Sequence, residues 1–294
     1  MSGDAVMTPA PVRGLLAVPR LALVGGSRSM AGWAERASRD VDIRTPNHAR
    51  VYDCFLGGKD NFAADRLAAE KIAAVAPDTR LLARANRGFL VRAVRLIAES
   101  GIHQFIDLGT GIPTSPSVHE VARDLDPAAR VVYIDNDPVV AAHNAALLAN
   151  DDGLISIMGD LRQPEEILAD RRLRTVIDFD EPVGLLCVAV LHLVTDEQDP
   201  AGIVARFAEH MAPSSHIAVC QFSADSDSTG ITQFEEIYAN GPISVTFRPR
   251  DQILHFFDGL ELLPPGVVEV EDWRPDTQSF ATRLKIVGGV GRKR

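Results

Sequence analysis

Little in this chain could build a disulfide framework or a zinc site. Its three cysteines, Cys54, Cys187 and Cys220, are odd in number, far apart and without C-x-x-C or Cys/His spacing. A reducing cytoplasm is therefore the expected compartment. No long apolar run is present either. The stretch from Leu15 to Val24 is about half of what a membrane helix needs and is broken by Pro19 and Arg20. With Asp4 nearby it also fits a secretory signal poorly. An excess of positive charge is lacking, because 30 Lys+Arg face 40 Asp+Glu for a net charge of −10. That balance argues against a general polyanion binder, so neither nucleic acid nor membrane is an expected partner. Lysine is rare, at four of the 30 basic residues. No internal repeat or coiled-coil heptad is found.

What is present is a chain of 294 residues, 46% apolar, long enough to bury a sizeable core in one or two domains. Charge is divided unevenly. Residues 1 to 95 carry 15 basic and 9 acidic side chains, and residues 96 to 294 carry 15 and 31. Residues 1 to 43 mix Pro, Gly, Ala, Ser and Arg without periodicity and read as a flexible tail, in which Met30 is an alternative start. Residues 44 to 100 read as a helical module. In its first helix Leu67, Ile72 and Val75 recur at helical spacing, Asp60 or Asn61 serves as cap, and Pro77 stops the run. In its second, Leu82, Ala85, Phe89, Ala93 and Ile97 form the apolar stripe and Gly101 the terminator.

From residue 101 to the end, short β-rich runs alternate with helical ones, the sign of a parallel sheet with crossover helices. Strands are expected at Gln104 to Leu108, Arg130 to Ile134, Leu154 to Met158, Val183 to Val190 and His216 to Phe222, with helices near 117 to 125, 138 to 149, 164 to 176 and 200 to 211. Leu260 to Val270 and Phe280 to Val287 are two more β-rich stretches without room for a helix between them, hence an antiparallel hairpin. The expected fold is α/β and Rossmann-like, with seven mostly parallel strands, the terminal hairpin and an N-terminal helical extension.

Chemistry is concentrated where strands end. Phe105-Ile106-Asp107-Leu108-Gly109-Thr110-Gly111 runs an apolar strand into a glycine turn, which lets backbone approach a ligand closely. Asp135 ends the second strand, 28 residues after Asp107, where a carboxylate can accept hydrogen bonds from both hydroxyls of a ribose, with Asn136 beside it. Asp160 ends the third, placed to accept from an adenine amino group while the Leu161 N–H meets the ring. The structural alternative for Asp135 and for Asp160 is a helix cap. Ligands bind at the carboxyl ends of strands in open α/β sheets, and three acids there resemble a site for S-adenosylmethionine. A dinucleotide site competes, since Gly109-x-Gly111 begins its fingerprint, but Thr114 stands where the third glycine belongs. Asp107 would also repel a pyrophosphate, whereas it suits the ammonium of a methionine tail.

The stretch from Pro46 to Asp65, PNHARVYDCFLGGKDNFAAD, resembles the opening signature of a bacterial S-adenosyl methyltransferase family. The resemblance continues through Ala85 to Leu90, Asp107 to Thr114, Asp135-Asn136-Asp137-Pro138, Ala189-Val190-Leu191-His192 and Gly289 to Lys293. It covers roughly residues 44 to 293. It implies a class I methyltransferase fold, S-adenosylmethionine as cofactor, and Pro113 as a normal departure from the third glycine of many methyltransferases.

Within the front signature, Gly57-Gly58-Lys59 can form a backbone cradle, and Tyr52, Lys59 and Asn61 supply donors for a carboxylate. This module is expected to lid the cofactor and bind its methionine carboxylate or an acidic substrate. The alternative is helix packing with an Arg50–Asp53 ion pair. His192, just past the fourth strand, is a candidate for proton removal, and Tyr52 for substrate contact. The [N/D]-P-P-[F/Y] motif of nucleic-acid amino methylation is absent. The expected activity is methyl transfer to an oxygen or nitrogen of a small molecule. A non-catalytic cofactor-binding protein and an NAD-dependent oxidoreductase stay open, as does self-association.

Overall fold

In the computed structural model, residues 42–148, 151–238, 245–276 and 280–294 are described. Residues 1–41, nearly all of the expected tail, lie outside them.

Five short apolar strands supply the parallel part of the sheet: β1 (Gln104–Leu108), β2 (Arg130–Asp135), β3 (Leu154–Met158), β4 (Gly184–Val188) and β5 (His216–Phe222). They lie in the order β3-β2-β1-β4-β5. Successive side chains leave a strand on opposite faces, so Phe105, Val131 and Tyr133 pack into one core while Ile106, Val132 and Ile134 pack into another. The order reverses between β1 and β4. That switch point is where open sheets leave a crevice at their carboxyl ends.

The antiparallel edge departs from the expected hairpin. Leu260 to Val270 is not one strand but two, β6 (Leu260–Leu262) and β7 (Val268–Glu269), separated by Pro264-Pro265-Gly266. Two prolines without N–H groups cannot continue a ladder. The last strand, β8 (Ile286–Lys293), begins six residues later than expected, pairs antiparallel with β5 and carries both short strands on its other edge. The described sheet thus has eight strands rather than seven. The expected fourth strand is also shorter at both ends, and at its carboxyl end Ala189 takes a positive φ of 55° and turns the chain out of the sheet. The helix expected over 164 to 176 breaks in two at Asp170, whose side chain accepts the Arg172 N–H.

Among the described residues three helices precede the sheet: α1 (His48–Leu56), α2 (Ala63–Val75) and α3 (Thr79–Glu99). On α3 the expected stripe is buried at Leu82, Phe89, Ala93 and Ile97, and Gly101 follows the helix with φ +85°. On α2 the stripe is different. Leu67 is 55% exposed, while Ala68, Ala69 and Ile72 face the core. Neither Asp60 nor Asn61 caps α2. That work falls to Asp65, which is buried and accepts from the Phe62 and Asn47 N–H groups at 2.8 Å each.

Candidate active site

One large cavity, about 480 Å³, opens over the carboxyl ends of β1 to β4 and under α1 and α3. Asp107, Gly109, Thr110, Gly111, Asp135, Asn136, Asp160 and Leu161 all line it, together with Tyr52. Gly109 and Gly111 have φ of +69° and +66°, in the left-handed region that favours glycine. They differ in surroundings. A Cβ on Gly109 would stand 2.2 Å from Val190 Cγ2, whereas one on Gly111 would meet nothing within 4 Å. Gly109 is therefore fixed by packing against the turn after β4, and Gly111 by backbone conformation beside open space.

The acids are held by backbone donors. Asp135 accepts the Gly111 N–H on one oxygen and the Asp137 N–H on the other, each at 2.9 Å. Burial pushes both Asp107 and Asp135 up to about 6, opposed at Asp107 by the Thr110 hydroxyl and the Arg87 charge. Asp160 differs, since Arg162 Nε and Nη2 clasp its two oxygens at 2.8 and 2.5 Å and hold it below the usual carboxylate range. Asp137 caps the helix that follows β2 (α5, Pro138–Leu147, the next after α4, Val118–Arg123) by accepting the Val139 N–H at 2.7 Å.

The front module corrects several expectations. Arg50 does not pair with Asp53. It lies 3.4 Å from Asp137 and 3.5 Å from Asp65, buried, and so ties α1 both to α2 and to the turn after β2. The cradle of Gly57-Gly58-Lys59 is filled from within the chain. Asp53 accepts the Asp60 N–H at 3.0 Å and the Asn61 amide at 2.8 Å, and a Cβ on Gly58 would come within 1.9 Å of its carboxylate. Asn61 is further engaged by Arg66, and Lys59 is exposed; neither lines the cavity. A glycine turn with a nearby lysine looks alike in sequence whether the anion is a ligand or the protein's own aspartate.

Tyr52 reaches the cavity with its hydroxyl already committed, donating to the Ala83 carbonyl at 3.0 Å and accepting from Asn86 Nδ2 at 2.7 Å. Burial pushes this phenol up to about 12. His192 does not line the large cavity. It lies 1% exposed in the turn after β4, against Phe222 at 4.8 Å between ring centroids, with burial holding it well below the ordinary imidazole value.

Two arginines were not picked out by sequence reasoning. Arg87 lines the cavity from α3, where Nη2 donates to the Thr114 and Pro116 carbonyls at 2.9 and 2.7 Å. Its signals were its place in the Ala85 to Leu90 stretch that carries the family resemblance and on a helix whose apolar stripe lies elsewhere. Arg248, 2% exposed, donates to the Leu191 and Val194 carbonyls and to Gln221, and pairs with Asp196 at 2.8 Å. It fixes the turn that carries His192, through partners far away in sequence.

Among described residues there is no cluster of His, Cys, Asp and Glu that could hold a metal, and no helix long and apolar enough to cross a membrane. Comparison with known proteins gives the lineage. A protein of the DUF574 family from Streptomyces avermitilis is 37% identical in sequence, with 86% of this chain and 99% of that one aligned and a TM-score of 0.83. A crystallised candidate methyltransferase from Thermobifida fusca is also 37% identical, with 86% and 97% aligned and a TM-score of 0.81. No curated protein matches. The family model described as S-adenosyl methyltransferase matches residues 34–294, and this chain belongs to that family, whose cofactor is S-adenosylmethionine.

Proposed function

We propose that this protein transfers a methyl group from S-adenosylmethionine to an oxygen or nitrogen of a small molecule. The observation that carries the reading is the distribution of charge around one cavity: acids at the ends of three neighbouring strands, and the cation Arg87 at the α3 side near Asp107. A ligand with an ammonium, a carboxylate, a ribose and an adenine meets a complementary group for each. Asp107 and the Gly109-Thr110-Gly111 backbone would hold the ammonium end. Arg87 would hold the carboxylate, the role first expected of Tyr52, Lys59 and Asn61. Asp135, with Asn136, would hold the ribose hydroxyls, and Asp160 with the Leu161 N–H the adenine. A dinucleotide pyrophosphate would instead meet these carboxylates with like charge.

When bound, S-adenosylmethionine supplies a methyl group already activated by its sulfonium. The chain has then to orient the acceptor and exclude water rather than generate a strong electrophile. Residues 44–100 act as the lid, held down by Arg50 on Asp137. The free thiols of Cys54, Cys187 and Cys220 agree with a cytoplasmic setting. The test is incubation with methyl-labelled S-adenosylmethionine and a bacterial small-molecule extract. Label in an extract component with release of S-adenosylhomocysteine supports the enzyme. Tight binding without release favours the non-catalytic reading.

A further inference from the structure

Off the cofactor cavity opens a second space of about 30 Å³, room for one or two waters. Val51, Phe55, Leu82, Phe222 and Ile286 are among its walls, and none of them is more than 7% exposed. Of its described lining residues only His48, Tyr52 and Ala189 are less than buried, and these same three line the cofactor cavity. The space is therefore a blind alcove whose mouth faces that cavity. Its polar groups are spent or turned away. The Thr79 hydroxyl donates to the Ala76 carbonyl and the Tyr52 hydroxyl to that of Ala83. The imidazoles of His48 and His192 face each other through Nε2 at 3.4 Å, and Nδ1 of each is buried. Burial also holds both rings below the ordinary imidazole value, so neither brings a charge. What the alcove presents to a ligand is almost wholly apolar.

Position narrows the occupant. The groups assigned above to the cofactor stand at the ends of β1, β2 and β3, whereas the alcove lies on the other side of β1, at the ends of β4 and β5. There Ala189 follows β4, and Phe222 closes β5 where it pairs with Ile286 of β8. A carboxylate, an ammonium or a hydroxyl pushed into the alcove would lose water and gain no hydrogen bond, so neither the methionine tail nor the ribose of the cofactor belongs in it. From this arrangement, resting on the methyltransferase reading above, we infer that the methyl acceptor ends in a short uncharged apolar group that fills the alcove, with Val51 and Leu82 as the residues that set its length. A methyl or ethyl group takes the room of about one or two waters, which fixes the size. The O–H or N–H group of the acceptor then stays in the wider cavity, beside the cofactor. An acidic end, one of the two ligands first expected of the front module, finds no donor in the alcove.

The test fills the alcove and reads stability and transfer separately. Val51→Ile adds one carbon to its wall. Free space there predicts an unfolding midpoint at or above that of wild type, and a fall of several degrees, as in a core without room, would overturn the inference. In the labelled-methyl assay with the bacterial extract, Val51→Ile should bind S-adenosylmethionine within about twofold of wild type and label the wild-type product about 10-fold more slowly or worse. Ala83→Val, which fills the alcove from α3, should act in the same direction. Val51→Ala should label molecules with a longer apolar end that wild type leaves unlabelled. The wild-type product, identified by mass spectrometry, should itself carry a short uncharged apolar end. Wild-type rates in both filling variants, or a wild-type product without such an end, overturn the inference alone, whereas a wild-type protein that transfers no label overturns the methyltransferase reading with it.

Discussion

Asp135 and Gly111 are joined at 2.9 Å by a hydrogen bond from the glycine N–H to the carboxylate, so the acid at the end of β2 and the glycine turn after β1 form one unit. The proposed ribose acceptor and the glycine turn are in this way set by a single contact. Asp135→Asn turns its amide NH2 toward one of the two backbone N–H groups that the carboxylate accepts, so it should loosen the turn and weaken S-adenosylmethionine binding by about 10-fold or more, the usual worth of a hydrogen bond to a charged group. Calorimetric titration checks it, and an unchanged affinity would remove Asp135 from the site.

Gly109 and Gly111 share a conformation but not an environment, and their alanine variants should separate accordingly. At Gly111 the cost is backbone strain alone, about 1 kcal/mol. At Gly109 the added methyl also collides with Val190, so the loss of stability should be larger and partly reversed by Val190→Ala. Thermal unfolding of the single and double variants measures this. Equal losses in the two single variants would contradict the geometry.

Arg87 lines the cavity and Lys59 does not, so the proposed function assigns the cofactor carboxylate to Arg87. Arg87→Met should weaken S-adenosylmethionine by about 10-fold or more and leave its decarboxylated analogue almost unaffected, while Lys59→Ala should change neither. Binding of both compounds to both variants decides the matter. An Arg87 variant that discriminates like wild type would mean that another group binds the carboxylate.

Burial raises Asp107 to about 6 from its ordinary 3.8. Between those values the folded protein holds a proton that the unfolded chain has released, so the acid opposes folding increasingly as pH rises through this window, fully above about pH 6. Asp107→Asn should thus gain stability over wild type on going from pH 4 to pH 7. Its affinity for S-adenosylmethionine should be low throughout, whereas wild-type affinity should fall as pH drops below 6. Unfolding midpoints across that range test the first point, and a difference between the two proteins that is constant with pH would contradict it.

The acids and glycines of the cavity were legible in the sequence because each follows an apolar strand whose end can be read from composition. The front module was less so. Its first helix buries Arg50 and Asp53, which carry no apolar period, and α2 buries Ala68, Ala69 and Ile72 while exposing Leu67, so one of its two largest apolar side chains misleads about the face. Lys59 and Asn61 were misplaced for a related reason: the donors of the glycine turn surround Asp53, and which anion a cradle serves is a property of the fold. Arg87 and Arg248 act through carbonyls 27 to 57 residues away in sequence, a distance over which local pattern carries no information.

Calorimetric titration of the purified protein with S-adenosylmethionine, beside Asp135→Asn and NAD, tests the central claim most directly. The account predicts micromolar binding of S-adenosylmethionine, weakened in the variant, and no binding of NAD. Folded wild-type protein that takes up no S-adenosylmethionine, or that binds NAD in its place, would contradict it.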